Sequence, residues 1–161
     1  DLDGATLERA QGGRVTELLA RPVLNQWWPE LAGIIQPLAG EWSARRETLE
    51  ALSFPCGYGV ELAVLVDVVR MRGIEAIAQV DLGHRRHAHQ ELADLGVLAA
   101  EVLAAATRRR FGTEQVDPVL LQPERDAAGD IPRMHPRPLS IVERPSHASL
   151  MPTDAESSTT P

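Results

Sequence analysis

Ile74-Glu75-Ala76-Ile77-Ala78-Gln79-Val80-Asp81-Leu82-Gly83-His84-Arg85-Arg86-His87-Ala88-His89 is the stretch whose reading sets the fold class. Its first seven residues form an apolar, strand-like run. Its last nine hold three of the chain's five histidines and two arginines. A loop at the end of a buried strand is where α/β proteins commonly place chemistry. Neutral imidazole binds divalent metals, and guanidinium binds phosphate and carboxylate. The stretch thus points to an α/β fold with a metal and an anion held near one loop. Two histidines do not complete a metal site, because three or more ligands are usual. A solvated polar loop remains the plainer alternative.

Outward from this stretch the pattern is mainly helical. An apolar helix over 60–72 precedes it and stops at Gly73. A helix over 91–110 follows, with Leu92, Leu95, Leu98, Val102 and Leu103 at helical spacing. Toward the N-terminus, Val15, Leu18 and Leu19 mark another helix, which Pro22 kinks or restarts. Gly33-Ile34-Ile35-Gln36-Pro37 reads as a short buried strand. Ser43 can cap a helix over 44–52, with Arg46 facing Glu50 one turn on. Residues 54–59 read as a turn. Residues 118–122 and 138–142 read as a late hairpin around Gly129-Asp130. Residues 1–11 form an incoming loop, 12–147 the working part, and 148–161 a Ser/Thr/Pro-rich tail expected to be disordered.

Bulk properties narrow the function classes. The 161 residues suffice for one domain. A net charge of −7 lacks the basic footprint of a nucleic-acid binder. All sixteen basic residues are arginine, a bias that GC-rich coding DNA produces. The single cysteine, Cys56, excludes an intramolecular disulfide framework and fits a reducing cytoplasm. With no base or cation near it in sequence, Cys56 reads as a packed residue rather than a nucleophile. No apolar run approaches the roughly 18 residues of a membrane helix, and no signal peptide is visible. The chain begins at Asp1 without an initiator methionine, which suggests a fragment or a processed product.

Two further constellations carry chemistry. Gly12-Gly13-Arg14-Val15-Thr16 opens a helix. Glycines allow close backbone approach, the helix start offers N–H groups, Arg14 adds charge and Thr16 a hydroxyl. Together they suit a phosphate, although the P-loop spacing is absent and a simple glycine start to a helix remains open. In Gly57-Tyr58-Gly59-Val60-Glu61, Glu61 lies in the first turn of an apolar helix. It can stabilise the helix dipole or accept hydrogen bonds from sugar hydroxyls. Asp1-Leu2-Asp3 sits at a polar terminus with no strand before it and is not read as a metal-binding D-x-D.

In order, residues 12–18, Arg21-Pro22, 29–33, 36–41, Gly57-Tyr58-Gly59-Val60-Glu61, 76–83 and Val142-Glu143-Arg144-Pro145 resemble the glucosyl-3-phosphoglycerate synthases. These are retaining glycosyltransferases of the GT-A type. The resemblance implies the C-terminal, acceptor-binding half of that Rossmann-like fold, helix-rich with a few short strands. It implies transfer of glucose from UDP-glucose to the 2-hydroxyl of 3-phosphoglycerate, Mg²⁺ or Mn²⁺ as cofactor, and a cytoplasmic homodimer in the intact enzyme. Gly13, Arg14, Val15 and Thr16 map to the acceptor's phosphate site, and Leu38 and Ala39 to the glucose pocket. Tyr58 and Glu61 map to the sugar contacts, His87 to the metal ligand and Arg85 to a position near the diphosphate or the acceptor. His89 maps to an acceptor contact. Family members usually carry asparagine at His89 and commonly glycine at Ala39. His84 keeps no role. The nucleotide-binding half would precede residue 1, so the chain alone is expected to be inactive. Competing readings are a non-catalytic phosphometabolite-binding module, a mannosyl-transferring relative, and a dimerisation domain built on Trp27 and Trp28.

Overall fold

Helices dominate because apolar residues recur at helical spacing along most of the chain. A computed structural model describes residues 13–83, 90–112, 118–124 and 133–151. Helix α1 spans Arg21–Trp27, α2 Arg46–Ala51, α3 Val60–Arg72, α4 Leu92–Phe111 and α5 His147–Leu150. The strands are short: β1 Phe54–Pro55, β2 Val119–Glu124, β3 Arg133–Pro138 and β4 Glu143–Arg144. They form two antiparallel pairs, β1 with β4 and β2 with β3.

The core lies where α1, α3 and α4 meet. Leu24, Leu31, Leu62, Val66, Val102 and Ala106 are its fully covered centre. Trp28 is buried beside them, and Trp27 meets Trp28 and Phe111 edge to face at 5.8 and 5.5 Å. Trp28 is thus spent on internal packing, and Trp27 is half-buried by the same contacts. Helices α3 and α4 approach closely at Gly59. A Cβ there would stand 2.5 Å from the Ala105 Cβ and 2.8 Å from the Glu101 carbonyl oxygen.

Helix boundaries at 60–72 and near 91–110 follow the sequence pattern, with Gly73 and Gly112 ending α3 and α4 at positive φ. Ahead of α1, Thr16–Ala20 is a π-helical turn, with the Arg21 N–H bonded to the Thr16 carbonyl. Pro22, with no N–H to donate, follows at the start of α1.

Several expected elements differ. Gly33–Pro37 is a turn: Ile34 and Pro37 are buried while Ile35 between them is 66% exposed, which is not the alternation of a buried strand. The expected strand from Ile74 begins as a 3₁₀ turn, Ile74–Ala76, and continues without a strand partner among the described residues. The Gln79 side chain takes the place of strand pairing. Its Oε1 accepts from the Ile35 N–H at 2.7 Å, and its Nε2 donates to the Gly33 carbonyl at 3.0 Å. Helix α2 starts after Arg45 without a side-chain cap, so Ser43 does not cap it; the Arg46–Glu50 pair forms as expected, at 2.7 Å. Residues 54–59 hold β1 and a 3₁₀ turn at Gly57–Gly59 rather than turn alone.

The second hairpin strand lies earlier than expected, at Arg133–Pro138. The register Val119↔Pro138 leaves 139–144 to reach β1 instead, where the Cys56 N–H meets the Val142 carbonyl at 2.7 Å. Residues 148–150, the start of the tail expected to be disordered, lie in α5, whose first turn is capped by the Ser146 hydroxyl. The incoming loop over 1–11, Gly129-Asp130 and the tail beyond 151 lie outside the described residues.

Candidate functional site

Glycine-led turns at three places position the candidate side chains. In the first, the Glu17 N–H closes onto the Gly13 carbonyl at 3.1 Å and starts the helical run. The N–H groups of Arg14, Val15 and Thr16 precede that first closure. Gly13 and Arg14 are exposed, whereas Val15 packs toward the core and Thr16 is only 3% exposed. Thr16, backbone and hydroxyl alike, is thus almost wholly covered. The Arg14 Nη2 donates to the Gln90 carbonyl at 2.8 Å, across 76 residues of sequence. That bond sets the phosphate-type turn beside the residue that follows the His/Arg loop. Arg85, His87 and His89 themselves lie outside the described residues.

The second and third turns meet each other. Gly40, at φ +74°, closes the Leu38-Ala39 segment. Its N–H bonds to the Glu61 carboxylate, and a Cβ on Gly40 would lie 3.4 Å from Glu61 Oε1. Burial raises the Glu61 pKa above its ordinary value, and the Gly40 N–H only partly offsets this. Glu61 is therefore a half-buried carboxylate with one oxygen bound by backbone. Tyr58, one turn earlier, is 50% exposed. Gly40 and Glu61 thus bring the Leu38-Ala39 segment beside the start of α3, one turn after Tyr58.

Sequence reading missed Glu101. This α4 carboxylate is 6% exposed and accepts the Tyr58 N–H at 2.9 Å and the Ser140 N–H at 2.7 Å. A glutamate inside the apolar run Leu98 to Ala106 was the available signal, because a buried acid must find donors. A second missed group is the ion network of Asp67, Arg108, Arg109 and Glu143, which borders an open cleft of about 380 Å³. None of the candidate residues lines that cleft. Its charges are paired with one another, which marks it as structural bracing of α3, α4 and β4.

Among the described residues, no group of three or more His, Cys, Asp or Glu side chains could hold a metal ion. No described helix is long and apolar enough to cross a membrane.

No family model matches the chain. A glucosyl-3-phosphoglycerate synthase from Mycolicibacterium paratuberculosis is 43% identical over 142 residues, covering 88% of this chain and 43% of the relative. Crystal structures of the Mycobacterium tuberculosis glucosyl-3-phosphoglycerate synthase superpose closely. The complex with Mg²⁺ and UDP gives a TM-score of 0.77 at 42% identity, covering 88% of this chain and 48% of that one. The complex with Mn²⁺, UDP-glucose and phosphoglyceric acid gives 0.76 at 40% identity, with coverages of 88% and 48%. The chain spans somewhat less than half the length of these relatives. Over the part it spans, the chain is similar in sequence and in GT-A fold to the glucosyl-3-phosphoglycerate synthases.

Proposed function

We propose that these residues form the sugar- and acceptor-binding part of a retaining glucosyltransferase, which moves glucose from UDP-glucose to the 2-hydroxyl of 3-phosphoglycerate. The observation that carries the reading is the meeting of Glu61 with Gly40. It places a half-buried carboxylate, the Leu38-Ala39 backbone and the exposed Tyr58 in two adjoining turns. A carboxylate fixed on one oxygen has the other available to accept from a sugar hydroxyl. Glu61 orients the glucose in this reading and is not a covalent nucleophile.

The Gly13–Thr16 turn holds the acceptor's phosphate through backbone N–H groups and the Arg14 guanidinium. Fixing that phosphate fixes the 2-hydroxyl, so the turn contributes by positioning. Arg85 supplies positive charge to the diphosphate leaving group, and His89 contacts the acceptor. His87 would be one ligand of Mg²⁺ or Mn²⁺, which supplies Lewis-acid neutralisation of the diphosphate when bound. A homodimer and a cytoplasmic location complete the reading. The exposed Leu121 and Met134 on the β2–β3 hairpin support the first, and the unpaired thiol of Cys56 supports the second.

Two measurements test it. Calorimetric titration of the chain with 3-phosphoglycerate should show saturable binding that Arg14→Ala weakens about tenfold or more, the loss of one charge-assisted contact. A version of the Mycobacterium tuberculosis synthase whose matching segment is replaced by this chain should transfer glucose, with Arg14→Ala raising the acceptor KM far more than the donor KM. Equal effects on the two constants would refute the assignment.

A further inference from the structure

Glu101 is buried, acidic and distant in sequence from every candidate residue, yet both its oxygens point at one place. Oε2 accepts from the Tyr58 N–H at 2.9 Å and Oε1 from the Ser140 N–H at 2.7 Å. The Gly57–Gly59 turn is moulded to it. Gly57 sits at φ +77°, and a Cβ there would fall 2.4 Å from Glu101 Oε2. A Cβ on Gly59 would fall 2.8 Å from the Glu101 carbonyl oxygen. Val60 begins α3 directly after this turn, so the turn sets where the Glu61 carboxylate and the Tyr58 ring stand.

We infer that Glu101 is a positioning residue for the sugar subsite: its carboxylate clamps the Gly57–Gly59 turn to α4 and to residue 140, and so fixes Tyr58 and, at the start of α3, the Glu61 carboxylate that lies beside Gly40. It touches no substrate. A buried carboxylate with two N–H donors is held by both, and a side chain lacking these acceptors leaves two backbone donors unpaired beneath the site. The effect is directional. The Gly13–Thr16 turn is bonded to Gln90 and not to Glu101, so acceptor binding should be spared. The inference rests on the reading of Tyr58 and Glu61 as sugar contacts.

The test compares Glu101→Ala with Val68→Ala, a core variant of α3 that lowers stability without touching the turn. In the purified chain, Glu101→Ala should speed amide exchange at Tyr58 and Ser140 by about tenfold or more relative to Val68→Ala, with the Glu17 amide unchanged. In the segment-replaced synthase, Glu101→Ala should raise the UDP-glucose KM at least about fivefold while the 3-phosphoglycerate KM stays within about twofold, and Val68→Ala should move neither. Unchanged exchange at Tyr58 and Ser140 overturns the clamp. Equal shifts in both KM values, or none, overturn the positioning role and leave Glu101 a structural group. If the unsubstituted replacement transfers no glucose, the sugar-site reading fails, and the exchange measurement still decides whether Glu101 holds the turn.

Discussion

Replacing Glu143 by glutamine removes the acid at the centre of the α3–α4–β4 bracing. Glu143 Oε1 accepts from Arg109 Nη2 at 2.5 Å and from the Ser53 hydroxyl at 2.6 Å. Its Oε2 accepts from Arg108 Nη1 and Arg109 Nη1, each at 2.9 Å. Burial opposes ionisation here, but the hydrogen bonds from Arg109, Ser53 and Arg108 outweigh it and hold the carboxyl at about 2 against an ordinary 4.5. With each pKa unit worth 1.36 kcal/mol, ionised Glu143 contributes about 3 kcal/mol. The folded pKa is depressed, so the unfolded chain takes up the proton first. The contribution is complete above about pH 4.5 and lost as pH falls through about 2. Glu143→Gln should lower the unfolding free energy by about 3 kcal/mol at pH 7. Asp67 still holds Arg109 at 2.8 Å and keeps the loss near the low end for a broken buried pair. Urea melts at a series of pH values read the effect directly. The wild-type and Glu143→Gln curves should converge as pH falls from 5 toward 2. A stability gap that is the same at pH 7 and pH 2.5 would refute the linkage.

Three other perturbations follow from the packing and the site. Gly59→Ala places a methyl against Ala105 and the Glu101 carbonyl, forces α3 from α4, and should cost about 1–3 kcal/mol in chemical denaturation. Leu62→Ala empties a fully buried core position and should cost about 2–5 kcal/mol, with an unchanged slope of stability against urea. Glu61→Gln should separate stability from function. Burial raises the Glu61 pKa, so its ionised form destabilises the fold increasingly as pH rises through that raised value. The amide should therefore melt at or above the wild-type temperature at pH 7, while the donor KM rises about tenfold or more through loss of a charge-assisted bond. A lower melting temperature with an unchanged donor KM would make Glu61 an ordinary helix-start acid.

The helices were legible because burial repeats along them. The runs ending at Gly73 and Gly112 carry both the apolar spacing and the glycine stop in local sequence. The strands were not, because pairing is non-local. Ile74–Val80 has strand-like composition, but backbone becomes a ladder only beside a second strand, and Gln79 alone bridges it to residues 33–35. Likewise Glu143 pairs with β1 because two arginines on α4 hold it there, which no spacing near residue 143 encodes. At the candidate site, ordered motifs named Glu61, Tyr58 and Leu38-Ala39, and the structure sets Glu61 beside Gly40. Glu101 stayed hidden because its partners are backbone N–H groups 43 and 39 residues away.

The π-helical turn at Thr16–Ala20 makes chain length there as constraining as residue identity. In an α-helix each residue advances the direction of a side chain by about 100° around the axis. The wide turn inserts one such step between Arg14 and α1. Deleting one residue from 16–20 would restore regular winding, but it would swing Arg14 about a quarter of a turn away from Gln90. Its partner would then face the wrong side of the helix even with every candidate residue intact. Homologous chains that keep this arrangement should therefore vary at the exposed positions 17 and 18 but tolerate no single-residue gap across 16–20.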